Sequence, residues 1–134
     1  MRIVISSKRY RPILGGSIQY ASMLAHAFRE EGHEVRIMTR TPGAADENNL
    51  IRNPSPREML ALAEWADVLL QVDASWRDVW PFLLRDVPWF PTLHFGHPQG
   101  PQPLRMRLEL AGLKAAFRIG DPISVGCEVA RSWG

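Results

Sequence analysis

The sequence predicts an α/β fold, a Rossmann-like three-layer domain with a mainly parallel sheet and helices on both faces. Three observations carry this expectation. Short β-branched runs alternate with helical patterns along the chain, which is the signature of βαβ units in a parallel sheet. The first of these runs leads through a glycine pair into a helix and a second strand, and the crossover of such a unit is right-handed in nearly all proteins. The length of 134 residues suits one core of this kind, so residues 1–134 are expected to form a single domain.

Ile3-Val4-Ile5 is too short and too β-branched for a helix and reads as a buried parallel strand, with the polar Ser6-Ser7-Lys8-Arg9 following at once. After Gly15-Gly16, the residues Tyr20, Met23, Leu24, Ala27 and Phe28 recur at intervals of three and four and predict one apolar helical face. Gly32 supplies a left-handed stop, and Val35-Arg36-Ile37-Met38-Thr39 predicts the second strand. The glycine pair therefore falls at the carboxyl edge of the sheet, where ligands bind in such folds. Gly15 and Gly16 either admit the backbone of the helix start to an anion such as a phosphate or only make the turn. Lys8, Arg9 and Arg11 flank Tyr10 at the same edge. Arg9 and Arg11 are candidates to contact a phosphate or an acidic acceptor, with solvent-facing charge as the plainer alternative.

Residues 40–54 read as a loop with a short strand at Leu50-Ile51-Arg52. Ser55-Pro56-Arg57-Glu58 combines a capping serine, a proline at the first helical position and a glutamate at the third, so a helix running to about Ala66 is expected, burying Met59, Leu60 and Ala63. Asp67-Val68-Leu69-Leu70-Gln71-Val72 predicts the next buried strand. Asp73 follows at its carboxyl end and is either a ligand for a sugar hydroxyl or a turn residue. Ser75 can cap the helix that carries Val79, Trp80, Phe82 and Leu83, with Asp78 favourable to its dipole.

Residues 88–94 predict a further strand, although Pro91 within it argues for an irregular start or an exposed backbone position. His94 ends this strand, and His97 stands in the Gly/Pro/Gln-rich loop of residues 95–103. Residues 104–117 are amphipathic, with Leu104, Leu108, Ala111 and Phe117 near one face, and Ile123-Ser124-Val125-Gly126-Cys127 predicts a last short strand. Cys127, the lone cysteine, excludes an internal disulfide.

Composition narrows the function classes. Hydrophobic residues make up 46% and charged residues 22%, as in an ordinary globular protein. No apolar run reaches the ~18 residues of a membrane span and no signal-peptide pattern opens the chain, so a cytoplasmic location is expected, with peripheral contact at the inner face of the membrane compatible with the mild basic bias. The net charge is +2 and the basic residues are scattered apart from the Lys8 to Arg11 run, which argues against nucleic-acid binding. No group of His, Cys and carboxylates has metal-ligand spacing, so no metal and no cofactor is expected.

The order of a short first strand, Pro12 before Gly15-Gly16, a helix with Leu24-Ala25 and then Gly32-His33-Glu34-Val35 resembles the N-terminal domain of family 4 glycosyltransferases of the GT-B fold. The resemblance covers nearly all of the chain. It implies the acceptor-side half of a two-domain retaining enzyme, which transfers a sugar from a nucleotide-diphosphate sugar to an acceptor hydroxyl once a donor-binding C-terminal domain completes it. It implies that Gly15 and Gly16 approach the donor diphosphate. Arg9, Arg11, Asp73 and His97 would line the acceptor side, and His94 would lie at the reaction centre and position the sugar. Gln71 and Asp73 stand where the family often has a histidine-containing motif, and Cys127 stands near a usual serine. The half-enzyme is expected to be inactive alone and to self-associate through an uncovered interdomain surface.

Two other classes stay open. One is a non-catalytic binding or interaction module on the same fold, for which exposed tryptophans would be the sign. The other is a different enzyme on a doubly wound sheet. Against a dinucleotide dehydrogenase, Gly15-Gly16-Ser17-Ile18-Gln19-Tyr20 lacks the Gly-x-Gly-x-x-Gly spacing. Against a phosphate-loop NTPase there is no Gly-Lys-Ser/Thr, and against a phosphotransfer receiver the first strand ends without an acidic cluster.

Overall fold

The computed structural model describes residues 1–43, 49–73, 75–93, 103, 104, 106–108, 111, 123 and 124. Their strands are β1 (Arg2–Ser7), β2 (Glu34–Thr39), β3 (Leu50–Arg52), β4 (Val68–Val72), β5 (Trp89–Leu93) and β6 (Ile123–Ser124). The helices are α1 (Gly16–Glu30), α2 (Pro56–Trp65) and α3 (Trp76–Leu83). The strands form a single sheet in the order β3-β2-β1-β4-β5-β6, and every pairing is parallel. This is the expected α/β Rossmann-like domain.

Alternate residues of the strands build two cores. Ile3, Ile5, Val35, Ile37 and Val72 face α1, where they pack on Ile18, Ala21 and Ala25. Val4, Met38, Leu69 and Trp89 face α2 and α3, where they pack on Met59, Leu62, Ala63, Val79 and Phe82. Burying strands on both faces is what makes their sequences near-continuous apolar runs.

The local signals explain most boundaries. Ser55 accepts from the Glu58 N–H while the Glu58 carboxylate accepts from the Ser55 N–H, a complete capping box with Pro56 inside it. Gly32 stops α1 at φ +82°. Two expectations are corrected. Met23 of α1 is 60% exposed and Ala27 is also exposed, because the small Ala21 and Ala25 let the helix approach the sheet on their side. Leu62, and not Leu60, completes the buried face of α2.

β1 also runs further than its apolar residues suggest. Ser6 and Ser7 are buried because they pair with Met38 and Thr39 on one side and Gln71 and Val72 on the other. Pro91 lies inside β5, where its partner in β4 is Gln71; β6 joins only at Thr92, so at Pro91 the outer side of β5 has no neighbour among the described strands. That is the placement a strand proline requires. Among the described residues no helix is long and apolar enough to cross a membrane.

Candidate functional site

Reversal of strand order occurs between β1 and β4, from which the connections leave toward opposite faces of the sheet. Ser7 of β1 pairs with Val72 of β4, so Lys8 and Asp73 are the first residues beyond these adjacent strand ends. In an open α/β sheet the crevice outside this point is the ligand position.

A cleft of about 520 Å³ opens at this carboxyl edge, lined by Lys8, Arg40, Asn53, Ser75, Arg77, Asp78, Pro103 and Met106. The connections after β1, β2, β3, β4 and β5 each contribute to it. Among the described lining residues three cations face one carboxylate. That carboxylate is committed: Asp78 is buried, and its Oδ1 accepts from Arg40 Nε at 2.8 Å and pairs with Arg40 Nη2 at 2.7 Å. Arg40 also donates to the Pro54 carbonyl and lies against the Met59 sulfur, so its guanidinium is fixed between β2 and the α2 and α3 layer. Lys8 and Arg77 are exposed. The wall therefore offers two solvent-facing cations beside a neutralised pair, an electrostatic setting for an anion.

The start of α3 is held from below by a buried amide. Gln71 is fully buried; its Nε2 donates to the Ser75 carbonyl at 2.9 Å and its Oε1 accepts from Trp89 Nε1 at 3.1 Å. This ties the end of β4 to the residue that precedes the next helix and sets where Ser75 and Arg77 stand. The Ser75 side chain makes no capping hydrogen bond, against expectation. Asp78 is likewise more than a favourable charge in the first turn, since it closes the pair with Arg40.

The residues expected from the sequence are only partly gathered here. Gly15 is the N-cap of α1 and Gly16 its first residue, with no side-chain cap and no acidic residue in the first turn, but neither lines the cleft. A Cβ at Gly16 would meet nothing within 4 Å, so internal packing does not demand glycine there. Arg9 and Arg11 lie in the connection of residues 8–15 and also do not line the cleft. That connection is folded over β2 and β3: Tyr10 is buried, its N–H donates to Thr41 Oγ1 at 2.8 Å, and Arg52 donates to the carbonyls of Arg11 and Thr41. From the basic run it is Lys8 that reaches the cleft. His94 and His97 lie outside the described residues, as does Cys127. Arg40, Asn53 and Arg77 were not singled out from the sequence; the signal available was the position of Arg40 and Asn53 just after strands and of Arg77 in the first turn of a helix.

A carboxyl held well below its ordinary range sits at the opposite edge. Asp67, before β4, accepts from the Arg2 guanidinium and the Arg2 N–H, which lower its pKa to about 2. This pair ties the amino ends of β1 and β4. Among the described residues no three of His, Cys, Asp and Glu are grouped as metal ligands.

No family model matches the chain, and no curated protein matches it. Solved structures do. One is a short-chain dehydrogenase/reductase superfamily protein from Agrobacterium tumefaciens with bound NAD, 14% identical, TM-score 0.52, covering 93% of this chain and 48% of that one. Another is a protein from Methylobacillus flagellatus described as an NAD-dependent epimerase/dehydratase, 13% identical, TM-score 0.55, covering 92% of this chain and 52% of that one. The chain thus spans about half the length of these structures.

These neighbours overturn the resemblance to family 4 glycosyltransferases and, with it, the expected sugar-transfer activity. The residues that carried the resemblance have structural duties common to any βαβ unit. Gly32 takes the left-handed turn, the His33 N–H donates to the Phe28 carbonyl, the Glu34 N–H to the Met1 carbonyl, and Val35 enters the core. A helix stop followed by a strand start needs such residues whatever the chemistry above it. What the likeness to solved structures shows is the fold, an α/β Rossmann-like domain of the kind found in NAD-binding proteins.

Proposed function

We propose that the chain is a binding module of the Rossmann type that holds a phosphate-bearing nucleotide in the carboxyl-edge cleft. One observation carries the reading: Lys8, Arg40 and Arg77 line a cleft in which, among the described lining residues, the one carboxylate, Asp78, is already paired with Arg40. Phosphate oxygens suit two solvent-facing cations, Lys8 just past the end of β1 and Arg77 in the first turn of α3, and Pro103 and Met106 supply an apolar wall for a base. The neighbours, one with bound NAD and one described as NAD-dependent, support a nucleotide over other anions.

The residues present do not fit the dinucleotide fingerprint itself. The connection of residues 8–15 replaces the tight glycine turn, and the residue after β2 is Arg40, tied to Asp78, where an acid for the ribose belongs. No hydride chemistry is therefore assigned. The tryptophans do not favour a protein-docking surface, because among those described only Trp76 is exposed while Trp89 is buried and Trp65 is covered by Arg36 at 4.0 Å.

Calorimetric titration with AMP, ADP and NAD tests the reading. Binding by at least one, weakened about fivefold by Lys8→Ala or Arg77→Ala and further by salt, is expected from the loss of a charge-assisted contact at an exposed site. Both side chains are exposed, so the fold should survive. Absence of binding by all three, or affinities untouched in the double variant, overturns it.

A further inference from the structure

Asp73 is the residue at the carboxyl edge whose state the fold does not explain. It follows β4 at the point of strand-order reversal, beside Lys8 by register, and two residues before Ser75 of the cleft wall. Its backbone is left-handed, at φ +61°, a conformation that aspartate adopts only at some cost. The Gln71 to Ser75 hydrogen bond draws the chain tight around it. Its Oδ1 is buried and has no hydrogen-bond partner among the described residues. A buried carboxylate oxygen without a donor loses its hydration for nothing in return, and native structures rarely tolerate this without a ligand or water to supply the proton.

We infer that Asp73 accepts a hydrogen bond from a ribose hydroxyl of the ligand, with that ligand's phosphate at Lys8 and Arg77. This rests on the nucleotide-binding reading and specifies it: the preferred ligand carries free ribose hydroxyls as well as phosphate. Asp73 does not itself line the cleft, but an acceptor-only group beside Lys8 at its edge suits a diol next to a phosphate, because it offers the hydroxyls a partner that the phosphate does not compete for. The strained, clamped loop fixes the acceptor in place and so favours one arrangement of the sugar.

The test compares AMP, 2′,3′-dideoxy-AMP and inorganic phosphate on the wild-type chain and on Asp73→Gly and Asp73→Asn. Glycine accepts φ +61° without strain and asparagine tolerates it, so both variants should fold. AMP affinity is expected to fall about tenfold in Asp73→Gly, the typical effect of losing a hydrogen bond to a charged group. Dideoxy-AMP should bind the wild type about as weakly as AMP binds the variant, and the two losses should not add. Inorganic phosphate should bind both variants at least as tightly as the wild type, because each substitution removes a negative charge near Lys8. Equal AMP affinity in wild type and Asp73→Gly overturns the inference and leaves the nucleotide reading standing. If neither AMP nor phosphate binds the wild type, that reading falls and the inference with it.

Discussion

Replacing Asp78 by alanine should lower stability and raise anion affinity together. Asp78 is 3% exposed, and among the described residues its side-chain oxygen Oδ1 is bound by Arg40. Removing one partner of a fully buried ion pair costs about 3–5 kcal/mol, chiefly by stranding the other charge. The Arg40 side chain is 28% exposed, so water reaches part of the guanidinium, and it keeps the Pro54 carbonyl as an acceptor. Both facts move the loss to about 2 kcal/mol. With an unfolding entropy of about 2.1 cal/mol/K per residue, that corresponds to a fall in Tm of about 7 °C. Meanwhile the cleft changes from three cations against one carboxylate to three cations alone, and ADP should bind about two- to threefold more tightly at low salt, an advantage that fades near 0.5 M salt. Urea denaturation and calorimetric titration read the two effects on the same samples. A stability change under about 0.5 kcal/mol would show that Arg40 and Asp78 are effectively solvated, and weaker ADP binding would refute the electrostatic account of the cleft.

Two further outcomes follow from local structure. Ser55→Ala should cost about 1 kcal/mol in urea denaturation by removing the side-chain half of the capping box, and a loss below a few tenths would mean that α2 is held by tertiary packing alone. Asp67 has its folded pKa lowered to about 2 from 3.8, so its contribution is complete above pH about 4 and disappears as the pH falls toward 2. Because the pair with Arg2 is exposed, the effect should be small and salt-sensitive, and Asp67→Asn should flatten the acid limb of the stability profile between those values. An unchanged profile would show that the pair is equally formed in the unfolded chain.

The fold was legible because its signals are local. β-branched runs, the Ser55 to Glu58 box and the glycine at position 32 each declare an element boundary without reference to the rest of the molecule. The helix face of α1 was read wrongly for the opposite reason: alanine carries little weight in a hydrophobic pattern, yet Ala21 and Ala25 are the residues that the sheet accepts at close range. The cleft was harder to see. Arg40 and Asp78 lie far apart in the chain and meet only because β2 ends and α3 begins at the same edge of the sheet. Asp73 and the basic run were visible as residues at strand ends, but which cation reaches the cleft depends on Tyr10 and Arg52 pinning the connection over β3, a tertiary event with no periodic trace.

The central position of β1 also orders events in time. Its neighbours in the sheet are far along the chain: Ile3 pairs with Val35 on one side and with Val68 on the other. During synthesis at about 5–20 residues per second, the second partner emerges roughly 3–13 s after β1 itself. For that interval a central, buried strand of the sheet has one side unmet, and no local hairpin can shield it because both pairings are parallel and need a crossover. Nascent chains of this protein should therefore engage holdase chaperones until the segment that becomes β4 leaves the ribosome, and release should coincide with the formation of the edge on which the cleft is built.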